Sequence, residues 1–134
     1  LDHLSWRSRA ASARMIRDLA AEVRERSPDA LVAVMGDMNA GPASATYREF
    51  TANGALRDTW TAAEERVTPA FGTYSGYRRP RPNGRRIDFI LVGPDVEVAR
   101  VGINAVRFDG AAPSDHEPVH AVIRNPRHGA GRSS

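Results

Sequence analysis

The chain has 134 residues, 41% hydrophobic and 26% charged, a balance that excludes both a disordered segment and a membrane-embedded chain. No run approaches the roughly 18 apolar residues of a transmembrane helix. The absence of cysteine excludes disulfides and thiolate metal sites, without fixing a compartment.

Nineteen basic residues against 16 acidic ones leave a formal charge of +3, carried by arginine. Arginine stays charged and grips phosphate with two N–H groups, so the basicity fits either a solvated surface or an anionic partner. The first residue is Leu1 rather than Met and no signal peptide is read, so a processed, cloned or truncated product is expected.

Ser5 to Arg26 reads as an amphipathic helix, because Trp6, Ala13, Ile16, Ala20 and Val23 recur at three- and four-residue steps between charged residues. Ser27-Pro28-Asp29 ends it. Leu31 to Met35 is a short apolar run bounded by Gly36, as expected of a buried central strand. Gly41-Pro42 makes a turn, and Ser44 is placed to cap a short helix carrying Tyr47 and Phe50, stopped at Gly54. Asp58 or Thr59 caps a further helical stretch through Glu65. Thr73 to Gly84, rich in Gly, Pro and Arg, reads as a long loop or irregular hairpin.

Three more strands follow: Ile87 to Val92, Val96 to Val106 with a bend at Gly102, and Val119 to Ile123. Asn125 to Ser134 is polar and is expected to be a disordered tail. Trp6 and Trp60 are expected in the core or in helix packing. This order implies an α/β or α+β domain over residues 1–124, with one mixed sheet, helices on one face and the other face unaccounted for.

Three carboxylates stand where apolar strands end or are interrupted. Asp37 lies in Met35-Gly36-Asp37-Met38-Asn39, Asp88 in Arg86-Ile87-Asp88-Phe89-Ile90, and Asp115 in Pro113-Ser114-Asp115-His116-Glu117-Pro118. A carboxylate inside a buried strand is costly unless it is paired or holds a metal. Hard oxygen donors suit Mg²⁺, Mn²⁺ or Ca²⁺ better than zinc. A divalent ion beside a His–Asp pair serves phosphoryl chemistry, the ion neutralising charge while the pair moves a proton. Each run also has an ordinary structural explanation: a turn, a loop cap or a strand ion pair. Their joint presence beside apolar strands favours a site.

Gly36-Asp37-Met38-Asn39, Arg86-Ile87-Asp88-Phe89-Ile90 and Ser114-Asp115-His116, in this order, resemble the motifs of the endonuclease/exonuclease/phosphatase superfamily, which has the deoxyribonuclease I-like fold. Leu1-Asp2-His3, Leu56-Arg57-Asp58-Thr59-Trp60 and Gly72-Thr73-Tyr74 are similar to the text of a bacterial subgroup of it. The resemblance implies the C-terminal half of a four-layered αββα sandwich, its missing partner being the N-terminal half of the same fold. It also implies a Mg²⁺- or Mn²⁺-dependent hydrolase of phosphate monoesters or diesters.

By motif position, Asp37 would activate the attacking water or assist the leaving oxygen. Asn39 would hold a phosphate oxygen or orient that water. Asp115 would be a metal ligand or lie beside one, with Asp37 also close to the metal. His116 would contact the scissile phosphate, and Asp88 would orient His116. The family's first half supplies an Asn and a metal-binding Glu that have no counterpart here, so the chain alone is expected to have little activity and weak metal affinity.

His3 is either a lining residue of the site or a helix-entry residue. Arg78, Arg79, Arg81, Arg85 and Arg86 would gather an anionic substrate or a nucleic-acid backbone, or simply keep a loop soluble. Tyr74 and Tyr77, set among them, would stack on a base or sugar, or anchor the loop. The rival functions are a nuclease acting on DNA or RNA and a non-catalytic remnant that binds anions or a protein.

Overall fold

A computed structural model describes residues 1 and 5–125 of the chain. His3 and residues 126–134, including most of the expected disordered tail, lie outside the described residues. In chain order the elements are α1 (Trp6–Arg26), β1 (Ala33–Asp37), α2 (Ala45–Thr51), a 3-10 turn at Ala52–Gly54, β2 (Arg57–Asp58), α3 (Thr59–Ala62), β3 (Glu65–Arg66), β4 (Asp88–Val92), β5 (Glu97–Ile103) and β6 (Val119–Arg124).

The Ser5 hydroxyl accepts the Ser8 N–H at the start of α1, and Arg24 and Arg26 sit in its last turn, where cations offset the carbonyl end of the helix dipole. Its buried stripe is made of small residues. Ala13 and Ala20, with Ile16, let the helix approach Val32, Val34, Phe89 and Leu91 closely. Trp6 is 59% exposed and Val23 also faces outward, so the expectation that Trp6 packs in the core is not met. Trp60 does pack, against the cluster around Val92 and Val98. Ser44 caps α2 through the Tyr47 N–H, and Arg14 and Arg17 of α1 hold Glu49 of α2.

The strands form two three-stranded ladders, β1-β4-β2 and β3-β5-β6, where one sheet was expected. The first is antiparallel throughout, and the second is mixed, because β3 runs parallel to β5. A short piece of the long loop stands between them. The Thr73 and Tyr74 N–H groups donate to the Arg85 carbonyl, and the Glu117 N–H donates to the Thr73 carbonyl. These bonds tie the loop to the segments that lead into β4 and β6.

β1 starts two residues later than the apolar run suggested. It is a terminal strand of its ladder rather than a central one, and Met35 is 65% exposed.

Alternation along β4 fixes what each side carries. Phe89 and Leu91 enter the core beneath α1 and α2, with Ala13, Ala20, Met38, Phe50 and Leu56. Ile90 and Val92 join a second core with Ala63, Val96, Val98 and Val101. Asp88 shares the side of Ile90 and Val92, away from α1.

Asp58 ties β2, α2, α3 and β4 together although it is almost wholly buried. Its carboxylate accepts the Trp60 N–H at 3.0 Å, the Tyr47 hydroxyl at 3.1 Å and an Arg86 N–H at 2.8 Å. Arg86 in turn lies over the Phe89 ring. Burial, with the Asp58 charge beside it, pushes the Tyr47 phenol up to about 12. Asp58→Ala strands a buried guanidinium and removes the cap of α3. We expect a loss of about 3–5 kcal/mol, read as a shift in the urea midpoint; a change within error would show that Arg86 finds another partner.

Candidate functional site

Asp37 ends β1 and Asp88 opens β4. The antiparallel register places the two residues directly opposite each other. Cross-strand partners point to the same face, so two carboxylates meet at one edge of the sheet. Like charges so placed repel unless a cation or a proton lies between them.

His116 supplies one. Its Nδ1 lies 2.8 Å from Asp88 Oδ2. A carboxylate can only accept, so Nδ1 carries the hydrogen and Nε2 is the nitrogen left for another group. The imidazole pKa is raised, chiefly by the hydrogen bond to Asp88 and further by the charges of Asp88, Asp37 and Asp115.

Asp37, Asp88 and His116 offer ligand atoms that all lie within 4.8 Å of one another, the one such group among the described residues. With Met35, Ile90, Pro118 and Val119 the pair Asp88–His116 lines a cleft of about 360 Å³, apolar on most of its wall.

The turn after β1 also has its ordinary structural role. Asp37 Oδ1 accepts the Asn39 N–H at 2.7 Å, and Asn39 adopts a left-handed φ of 48°. The Asn39 side-chain amide donates to the Leu1 carbonyl at 2.8 Å, and the Leu1 backbone nitrogen donates to the Asp37 carbonyl. One Asp37 oxygen therefore builds the turn, and the other remains for chemistry.

Asp115 is not in the three-residue group. Its carbonyl takes the Ser75 and Gly76 N–H groups, which pins the long loop beside His116. Arg78 does not join the carboxylates either and lines a separate cleft in that loop.

Several residues that hold this geometry carry no sign of that role in the sequence. The fully buried Thr73 hydroxyl accepts both the Ile87 and Asp88 N–H groups, fixing the start of β4. Glu117, next to His116, is buried and takes two Arg107 N–H groups at 2.9 Å each, which holds its carboxyl below the usual range. Gly72-Thr73-Tyr74 and Glu117 stood inside recognisable runs, yet nothing in one dimension shows what they touch.

Donor chemistry allows a hard divalent ion at this edge. Asp37 keeps an uncommitted oxygen, whereas Asp88 and His116 Nδ1 are engaged with each other.

The chain belongs to the endonuclease/exonuclease/phosphatase family, whose model matches residues 1–116. Among solved structures, it is similar to an endonuclease/exonuclease/phosphatase family protein from Bacteroides thetaiotaomicron, with 25% identity, TM-score 0.82, and coverage of 92% of this chain and 46% of that one. It is similar to the mannosyl-6-phosphatase of the same organism, at 25% identity and TM-score 0.81, covering 92% of this chain and 48% of that one. A third, from Bacteroides vulgatus, is 28% identical with TM-score 0.78, covering 93% and 47%. No curated protein matches the sequence. The chain thus spans about half the length of these solved relatives.

Because Asp88 raises the proton affinity of His116, Asp88→Asn should lower the imidazole titration midpoint toward about 6.5, followed by NMR on the metal-free chain. The stabilisation from the charged pair is fully present below the unfolded pKa and fades as pH rises through the folded one. The stability gap between wild type and Asp88→Asn should therefore narrow over that window. An unchanged midpoint would show that the hydrogen bond does not govern the proton.

Proposed function

We propose that the chain is the C-terminal half of a divalent-metal-dependent phosphoesterase acting on a small phosphate monoester. The observation that carries this reading is the meeting of Asp37, Asp88 and His116 at one sheet edge. The solved neighbour that is a mannosyl-6-phosphatase supports a phosphorylated sugar as the substrate class.

The raised proton affinity of His116 favours the imidazolium, so His116 acts as charge stabiliser or acid toward the phosphoryl group through Nε2 rather than as base. Asp88 acts through His116 as the positioning residue. The unengaged oxygen of Asp37 accepts the proton of the attacking water as the oxygen–phosphorus bond forms. The ester oxygen departs with its bonding electrons and is protonated from His116. Asn39 fixes the orientation of Asp37 through its own N–H. A bound Mg²⁺ or Mn²⁺ would neutralise charge on the phosphoryl oxygens. Of this chain's residues Asp115, beside His116, would lie nearest to it and add negative potential, the remaining ligands coming from the other half of the fold, while Asp37 would serve as the base.

Joined to the half that precedes it in its relatives, the protein should hydrolyse sugar phosphates with Mg²⁺. Asp37→Ala and His116→Ala should each lower kcat by about 10²–10⁴-fold. Retention of the biological function in both variants would favour a non-catalytic binding role. A nuclease would instead cleave oligonucleotides with a steep dependence on salt.

The chain alone brings too few oxygen donors for tight metal binding. Calorimetry should show no Mg²⁺ binding at submillimolar concentration, and a phosphate-release assay should show no turnover. Mg²⁺-dependent turnover by the chain alone, abolished in Asp37→Ala, would refute this.

A further inference from the structure

The long loop between β3 and β4 forms a second cleft, of about 240 Å³, lined by Gly72, Tyr74, Ser75, Pro80, Gly84 and the arginines 78, 79, 81 and 85. No carboxylate lines it. None of the four guanidinium groups has an ion-pair partner among the described residues, although eight other arginines do. Four uncompensated cations around so small a volume repel one another, and an anion seated among them relieves that repulsion.

The cleft is built rather than improvised. Gly72 and Gly84 press together so tightly that a Cβ on Gly72 would lie 2.6 Å from the Arg85 nitrogen. Phe71 bridges Pro82, Ser75 and Gly76 donate to Asp115, and Arg107 donates to the Arg78 carbonyl at 2.7 Å while it grips Glu117. Left-handed φ angles at Gly76 and Tyr77 are held by this frame.

One ring separates the two clefts. Tyr74 packs edge-on to the His116 imidazole, with centroids 5.1 Å apart, and Arg85 lies over the same ring at 5.6 Å. An anion among the arginines is thus one aromatic ring away from the phosphoryl group that His116 would contact.

We propose that the arginine cleft is a subsite for a second phosphate carried by the same small substrate, so that the preferred substrate class is a bisphosphorylated small molecule such as a sugar bisphosphate. This rests on the phosphoesterase reading above and narrows its substrate. The charges surround one pocket instead of following a track, which suits a compact phosphate better than a polymer backbone.

The test measures binding to this chain by NMR titration, which needs no turnover, with glucose 6-phosphate, glucose 1,6-bisphosphate and a short single-stranded oligonucleotide as probes. Wild type should bind the bisphosphate at least about tenfold more tightly than the monophosphate. The advantage should collapse in Arg79→Gln/Arg81→Gln, and in Arg85→Gln as an independent variant. The Tyr74 ring signals should shift with the bisphosphate. Equal affinities, an advantage that survives both variants, or stronger binding of the oligonucleotide would each overturn the subsite. Absence of hydrolysis by the complete protein, with the binding advantage intact, would instead overturn the phosphoesterase reading and leave the subsite standing.

Discussion

The pairing register of β1 with β4 is the constraint on which everything at this sheet edge depends. A slip of one residue would turn Asp37 or Asp88 toward α1 and bring Phe89 out of its core. The apolar cost of that slip is large, since Phe89 and Leu91 are both buried between the sheet and the two longer helices. Hydrophobic alternation on one side of the sheet therefore holds two carboxylates together on the other, against their own repulsion. The core stabilises an arrangement that electrostatics alone would reject.

His116 relieves part of that repulsion, and its position depends on the loop rather than on the strands. Thr73 fixes β4 on one side and takes the Glu117 N–H through its carbonyl on the other. The Arg107–Glu117 pair then locks the residue next to His116 to the backbone of the arginine loop. Scaffold and reactive groups are thus joined by short contacts, exposed to water at the Arg78 carbonyl and partly or wholly shielded at Thr73 and Glu117.

Much of this could be read from one dimension, for definable reasons. Helix α1 announced itself by period and by the Ser-Pro break. Asp37, Asp88 and Asp115 stood out because they interrupt or border apolar strands, and the first two do meet, but with His116 rather than with Asp115. The reading failed where size mattered more than hydrophobicity. Trp6 was assigned to the packed face, but close approach to the sheet selects Ala13 and Ala20 and leaves the larger side chain outside. It also failed where a partner lies far along the chain. Asp58 with Arg86, and Thr73 with β4, are pairs whose members look like surface residues until the chain folds. The division into two ladders was hidden for the same reason, because it depends on which strands pair and on a core that both ladders share.

The turn at Asp37 has a consequence for timing. A free carboxylate spins about its Cβ–Cγ bond and must be stilled whenever it is asked to act. Here the Asn39 N–H already stops that rotation, and the left-handed backbone at Asn39 keeps the N–H in place. The orientational entropy is surrendered once, during folding, instead of at every encounter with a ligand. The turn is a clutch engaged before the load arrives.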